Sequence, residues 1–225
     1  MPIFKKVNKK FFKKWTPDMA YVLGFFAADG YITLNKRGAN FWCIQIKDKD
    51  LLYKIREVVG SNHKISERHN KINKSMVYRL QIGSMEMCDD LRILGYRENK
   101  TRCLVVPQIP TKYFKDFIRG YFDGDGNVWS GYVHKERPNP LLTIRCVFTS
   151  CSEVFLKQIR DKLGIYGVER GVLSKGKGDY HRLTYSTKGA LTFYNFVYNG
   201  RVKDFKGLYL DRKKKVFEKY IKMQL

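Results

Sequence analysis

Apolar and polar residues follow two rhythms along this chain, and the whole pattern occurs twice. Residues 19–28, MAYVLGFFAA, are apolar on almost every position, which predicts a buried helix over about 17–29. A matching helix is expected over 112–125. The period then shortens to two. NFWCIQIK (40–47) and LTIRCVFT (142–149) alternate as strands with one solvated face do. In the second, Leu142, Ile144, Cys146 and Phe148 share one face, and Thr143, Arg145, Val147 and Thr149 the other. YITLN (31–35) and NVWSGYV (127–133) suit their hairpin partners. Helical spacing returns at Leu52, Ile55 and Val59 and at Phe155, Ile159 and Leu163, with Gly60 and Gly164 where C-terminal caps are expected. Two more strands follow in each half, HKISER (63–68) with MVYRLQIG (76–83), and GVERGVL (167–173) with YHRLTYS (180–186). Helical patterns close the halves at 84–94, and at 188–198 and 208–221.

The repetition extends to letters. YVLGFFAADG (21–30) returns as FIRGYFDGDG (117–126), so that Gly24 matches Gly120 and Asp29 matches Asp125. LLYKIREVVG (51–60) resembles FLKQIRDKLG (155–164), and YRLQIGS (78–84) resembles HRLTYST (181–187). The expected fold is α+β, two pseudo-symmetric αββαββα repeats each with a four-stranded antiparallel sheet. The first repeat is expected over 16–102 and the second over 112–225, after a basic arm at 1–15. CLVVPQIPT (103–111), with two prolines and no helical period, reads as the linker.

The repeated phrase has a steric reading. Gly120 and Gly124, four residues apart, share a helix face, as do Gly24 and Ala28. Small residues at this spacing let two helix backbones approach closely, so the helices are expected to pack together about a pseudo-two-fold axis. Asp29 and Asp125 then stand at the helix ends, each before a glycine suited to a left-handed cap. A carboxylate there opposes the helix dipole by roughly 0.3–1 kcal/mol, and two brought close repel. A divalent cation removes both objections, which makes the pair a candidate Mg²⁺ site. A single Asp-Gly is more often a turn former; the duplication argues for more than turn chemistry.

Composition narrows the partner. The 225 residues include 44 Lys and Arg against 21 Asp and Glu, a formal charge of +23. Such a surplus points to a polyanion, nucleic acid first and an anionic membrane surface second. No apolar run is long enough to span a membrane. The opening MPIFKKVNKKFFKKW has six lysines, no acid and no secretory h-region. Five cysteines (43, 88, 103, 146, 151) form no CxxC pair and read as small buried hydrophobes. They fit a reducing compartment, a bacterial cytoplasm or an organelle matrix.

At VLGFFAADG (22–30) and IRGYFDGDG (118–126) the chain resembles the LAGLIDADG homing endonucleases, and the order of strands and helices after each motif extends the resemblance over nearly the whole chain beyond residue 15. The resemblance implies a monomeric, single-chain, intron-encoded enzyme whose two saddle-shaped sheets each read half of a long asymmetric double-stranded DNA site. It implies hydrolysis of one phosphodiester in each strand, leaving short 3′ overhangs. Asp29 and Asp125, with Ala28 and Gly124 beside them, become the metal positions. Two or more Mg²⁺ ions shared between the aspartates are implied, with Mn²⁺ or Ca²⁺ able to substitute for binding. The earlier acidic position is Ala27 in one copy and Asp123 in the other, and the family's chemistry does not rest on it. Assisting lysines are expected at Lys100, Lys213 and Lys47. Base or phosphate contacts are expected from Lys36, Arg37, Asn40, Gln45, Arg68, Arg79 and Gln81 in the first sheet. In the second they are Trp129, His134, Arg137, Arg145, Arg170, Lys175, Lys177 and Arg182.

Rival nuclease signatures are weaker. GIY at 164–166 has no following YIG, the four histidines (63, 69, 134, 181) do not cluster, and Glu98 and Lys100 lack a nearby Pro-Asp pair. The remaining alternatives are an RNA maturase that assists splicing of its own intron RNA, and a DNA-binding relative that does not cleave.

Overall fold

A computed structural model describes residues 5–69, 75–198 and 207–224. The chain divides into two compact units, Met1–Lys100 with Pro107–Gly124, and Thr101–Val106 with Asp125–Leu225.

The first unit contains α1 (Pro17–Asp29), β1 (Gly30–Leu34), β2 (Asn40–Ile46), α2 (Lys49–Val58), β3 (Ser66–His69), β4 (Met76–Gly83), α3 (Met85–Ile93) and all but the last residue of α4 (Phe114–Asp125). Its strands form an antiparallel sheet in the order β1-β2-β4-β3. Ile32, Trp42, Ile44, Leu80 and Ile82 fill the covered face, and the Trp42 ring meets Phe12 and Phe26 at 5.5 and 6.3 Å. Helix α1 starts where it does because Thr16 caps it, accepting from Met19 N at 3.0 Å, and Pro17 takes the first turn. The basic stretch at 1–15 is docked where described. Asn8 N donates to Val59 O at 3.2 Å, and Phe11 and Phe12 are buried. Its first four residues lie outside the described residues.

Helices α1 and α4 touch backbone to backbone. A Cβ built on Gly24 would lie 1.9 Å from Phe117 O, and one on Gly120 would lie 2.0 Å from Tyr21 O. At Gly124 it would lie 2.3 Å from Ala28 Cβ. The contact is less apolar than the sequence suggests. Arg119, 1 % exposed, donates to Asp116 at 2.8 Å and lies over the Tyr21 ring at 5.4 Å. Tyr21 Oη donates to buried Asp123 at 2.6 Å. Asp18 is pushed above the usual carboxylate range by its own burial and by the nearby Asp116, with Arg119 opposing.

The second unit contains β5 (Gly126–Val133), β6 (Leu141–Ser150), α5 (Glu153–Ile165), β7 (Val172–Lys175), β8 (His181–Tyr185), α6 (Thr187–Tyr198) and α7 (Asp211–Lys222). Its sheet repeats the first in the order β5-β6-β8-β7. Phe148 stands at its centre, with Tyr185 and Phe193 at 6.2 and 5.2 Å. Ser152 caps α5 by accepting from Phe155 N, and its hydroxyl donates to Leu104 O at 2.7 Å. The mixed fold and both antiparallel sheets therefore agree with the expected architecture.

Four local expectations differ. Gly164 lies inside α5, and the left-handed position is Gly167, with φ of 77°. Strand β7 begins at Val172, because Arg170 turns the chain with a φ of 60°. Gly30 is extended (φ −88°, ψ 154°) rather than left-handed. Gly126 does not take the left-handed cap either; it opens β5. Glycine at 30 is needed for space, since a Cβ there would lie 2.1 Å from the Phe26 ring. Among the cysteines, 43, 88 and 146 are buried, with Cys88 pushed up to about 11 by burial, whereas Cys103 is exposed.

Gly24→Ala and Gly120→Ala should each destabilise the protein by about 1–3 kcal/mol or more in urea unfolding, because the clash is with backbone. Gly164→Ala, in helical backbone with nothing within 4 Å, should stabilise it by roughly 0.5–1 kcal/mol. Arg119→Met should cost about 3–5 kcal/mol, since Asp116 loses its partner in a buried site. A loss below about 1 kcal/mol would mean that the buried pair is not a structural contact.

Candidate metal centre and nucleic-acid interface

Asp29 and Asp125 are the last residues of α1 and α4, and each leads directly into the first strand of a sheet. Asp29 is half-buried and Asp125 exposed. The absence of a side chain at Gly124 leaves room beside Asp29, whose Oδ2 would sit 3.1 Å from a Cβ there. Ala28, half-buried, lines the same turn. Among the described residues no three His, Cys, Asp or Glu side chains gather into a metal-binding group. The donors on offer at the motif ends are hard carboxylate oxygens, which suit Mg²⁺ or Ca²⁺ and leave coordination positions for water or phosphate.

Two lysines occupy equivalent places. Lys100 Nζ donates to Gly30 O at 2.7 Å and lies 5.5 Å from the Phe26 ring centre. Lys213, on α7 and only 5 % exposed, donates from Nζ to Gly126 O. In each unit, then, an ammonium is bound to the carbonyl immediately after the motif aspartate. A buried ammonium without such an acceptor would be costly. Lys47, the third candidate, stands exposed just beyond β2 and shares no such contact.

Strand register sorts the other candidates. In the first sheet Gln45 pairs with Arg79, which pairs with Ser66, and Cys43 pairs with Gln81 and Tyr31. Arg68 pairs with Val77, on the same parity. Gln45, Arg68, Arg79 and Gln81 therefore share the open face. Lys36 and Arg37 are exposed at the β1–β2 hairpin. Asn40 takes the other parity, with Trp42 and Ile44; it receives Arg92 Nη2 at 2.6 Å and is engaged with α3. In the second sheet Trp129 pairs with Arg145, and Thr149 with Arg182, all on the open face. The Trp129 ring lies over Gly131. His134 and Arg137 are exposed beyond β5, where His134 faces Glu136 at 3.5 Å. Arg170 and Lys177 are exposed in turns. Lys175 pairs with His181 on the parity of Leu173 and Leu183, the covered face. The open face also carries Tyr31, Ser66, Thr149, Ser174 and Thr184, which the choice of residues by type passed over. Counting parity outward from Gly30 and Gly126 would have found them.

The LAGLIDADG-like domain model matches residues 16–92 and again 115–197. The uncharacterized protein MJ0398 of Methanocaldococcus jannaschii is 25% identical over 189 residues, or 77% of this chain, and the match spans 63% of that relative's length. The I-SmaMI LAGLIDADG homing endonuclease bound to cleaved DNA superposes with a TM-score of 0.59 at 15% identity, covering 94% of this chain and 90% of that one. I-SmaMI bound to an uncleaved DNA target in the presence of calcium ions gives 0.54 at 14%, covering 93% and 90%. I-WcaI bound to its DNA recognition sequence gives 0.58 at 18%, covering 92% and 91%. The two-sheet architecture is thus that of the LAGLIDADG homing endonucleases. The double match covers most of the sequence, and the chain belongs to the LAGLIDADG-like domain family.

Proposed function

We propose that this protein is a site-specific DNA endonuclease. It makes a metal-dependent double-strand break with short 3′ overhangs in a long asymmetric site and so promotes intron homing. The observation that carries the reading is the matched trio in each unit, Asp29–Gly30–Lys100 and Asp125–Gly126–Lys213, with each lysine fastened to the glycine carbonyl. Retaining this trio twice is what cleavage of two strands requires. The +23 charge, the open sheet faces rich in Arg, Gln and Thr, and the DNA-bound state of the similar structures support a double-stranded DNA partner.

Asp29 and Asp125 would hold divalent cations, Mg²⁺ in the cell, with Mn²⁺ or Ca²⁺ able to occupy the site. A cation held there would lower the pKa of a water and steady negative charge on the phosphate and leaving oxygen. The chain's own residues do the rest. Each carboxylate is fixed at the end of a helix whose backbone is locked against its partner. Each lysine sets a positive charge at the carbonyl of the glycine that follows the aspartate, where it would offset negative charge on a bound phosphate. Water oxygen bonds to phosphorus, the bond to O3′ breaks, and a 3′-hydroxyl and a 5′-phosphate result. The open faces hold the duplex in register through phosphate and base contacts. The protein acts as a monomer, since one chain contains both trios.

DNA carrying the insertion site, incubated with Mg²⁺, should be cut on both strands, and EDTA should abolish cutting. Asp29→Asn or Asp125→Asn should lower the rate by more than the roughly 10–100-fold expected for loss of an outer-sphere group, while gel-shift affinity is kept. Undiminished cleavage by the double mutant would sink the assignment. Lys100→Met and Lys213→Met should each slow cleavage about 10²-fold with binding unchanged; a loss confined to affinity would make them phosphate-binding residues. Tight binding to the intron transcript without any DNA cleavage would support the maturase reading instead.

A further inference from the structure

The two sheets can be aligned residue by residue through their registers. Gly30 pairs with Ile44, which pairs with Leu80; Gly126 pairs with Phe148, which pairs with Leu183. One residue further along, the first sheet has the row Gln45–Arg79–Ser66 and the second has Thr149–Arg182–Ser174. Most of the open face changes between these lattices. Tyr31 becomes Asn127, Cys43 becomes Val147 and Gln81 becomes Thr184. The arginine does not change.

Arg182 is also held by a tyrosine. Arg182 Nη2 donates to Tyr180 Oη at 3.0 Å, and its guanidinium lies 5.1 Å from that ring's centre. Among the described residues neither arginine has a carboxylate partner. Arg79 Nε is shut off from solvent without an acceptor. An arginine left uncompensated on an open sheet face has the donors for bidentate contact with one planar acceptor pair. In a duplex major groove that pair is N7 and O6 of guanine.

We propose that Arg79 and Arg182 are matched guanine readers, one for each half of the target, and that Tyr180 is the positioning residue of Arg182. The inference rests on the DNA-endonuclease reading and specifies it. The target is asymmetric elsewhere, but each half contains a G·C pair read by the same lattice position.

The test is selection from a random-sequence duplex library by the full chain in Ca²⁺. The wild-type protein should enrich sites with one strongly required guanine in each half. Arg79→Ala should make that position degenerate in one half only, and Arg182→Ala in the other, with discrimination falling roughly tenfold to hundredfold. Tyr180→Phe should weaken preference at the base that Arg182 reads and at no other. Arg79→Lys and Arg182→Lys retain the charge and should still lose discrimination, so a folding defect in the alanine variants would not obscure the result. Arginine variants that weaken binding equally on all sequences would make these phosphate contacts and overturn the inference while leaving the endonuclease reading intact. A wild-type chain that enriches no sequence and cuts no DNA would overturn both.

Discussion

The backbone contact between α1 and α4 constrains everything at the motif ends. It forms because Gly24 and Gly120 have no side chains, and each faces a carbonyl of the other helix. Contacts between side chains can slide or repack by an ångström or more, but two backbones in contact have no such slack. One turn on, Ala28 and Gly124 continue the contact, and the next residue in each case is the motif aspartate. The helices are therefore rigid supports for two carboxylates that helix electrostatics would not place there. Gly30 and Gly126 begin the first strands of their sheets. A displacement of α1 would move the Asp29 carboxylate and the register origin of the first sheet together.

The buried polar pairs show how such an interface is made specific. Arg119–Asp116, within α4, and Tyr21–Asp123, between the helices, are both buried at this contact. A buried ion pair adds little net stability against a hydrophobic substitute, yet leaving one partner alone is costly. The Tyr21–Asp123 bond, and Arg119 lying over the Tyr21 ring, thus penalise any other rotation or slip of α4 against α1. Asp123, which lies two residues before Asp125 and looks equivalent to it in the sequence, is spent on Tyr21. The first copy has Ala27 at that place, so the repeat itself separates the structural acid from the candidate metal ligand.

Much of the fold was legible because the periods of apolar residues are strong and repeat. The Asp-Gly phrases marked the two aspartates and the family resemblance implied Lys100 and Lys213, but the carbonyl contacts of these lysines depend on tertiary structure. The open faces were harder to read. Asn40 and Lys175 have suitable side chains but the wrong parity, and a shift of one residue reverses a strand's face. Tyr31, Thr149 and Ser174 have the right parity, but attention to residue type favoured longer, charged side chains. Gly164 was misread because helix α5 runs past it to reach the left-handed turn at Gly167. Arg119 and Asp116 escaped because charged residues are rarely fully buried, and only their mutual contact makes it tolerable.

Direct location of the cation tests the central claim most plainly. A crystal of the full chain with its DNA target and Mn²⁺, measured for anomalous scattering, should show manganese held by the Asp29 and Asp125 carboxylates against the scissile phosphates. Manganese bound elsewhere on the protein, with both carboxylates holding none, would contradict the account.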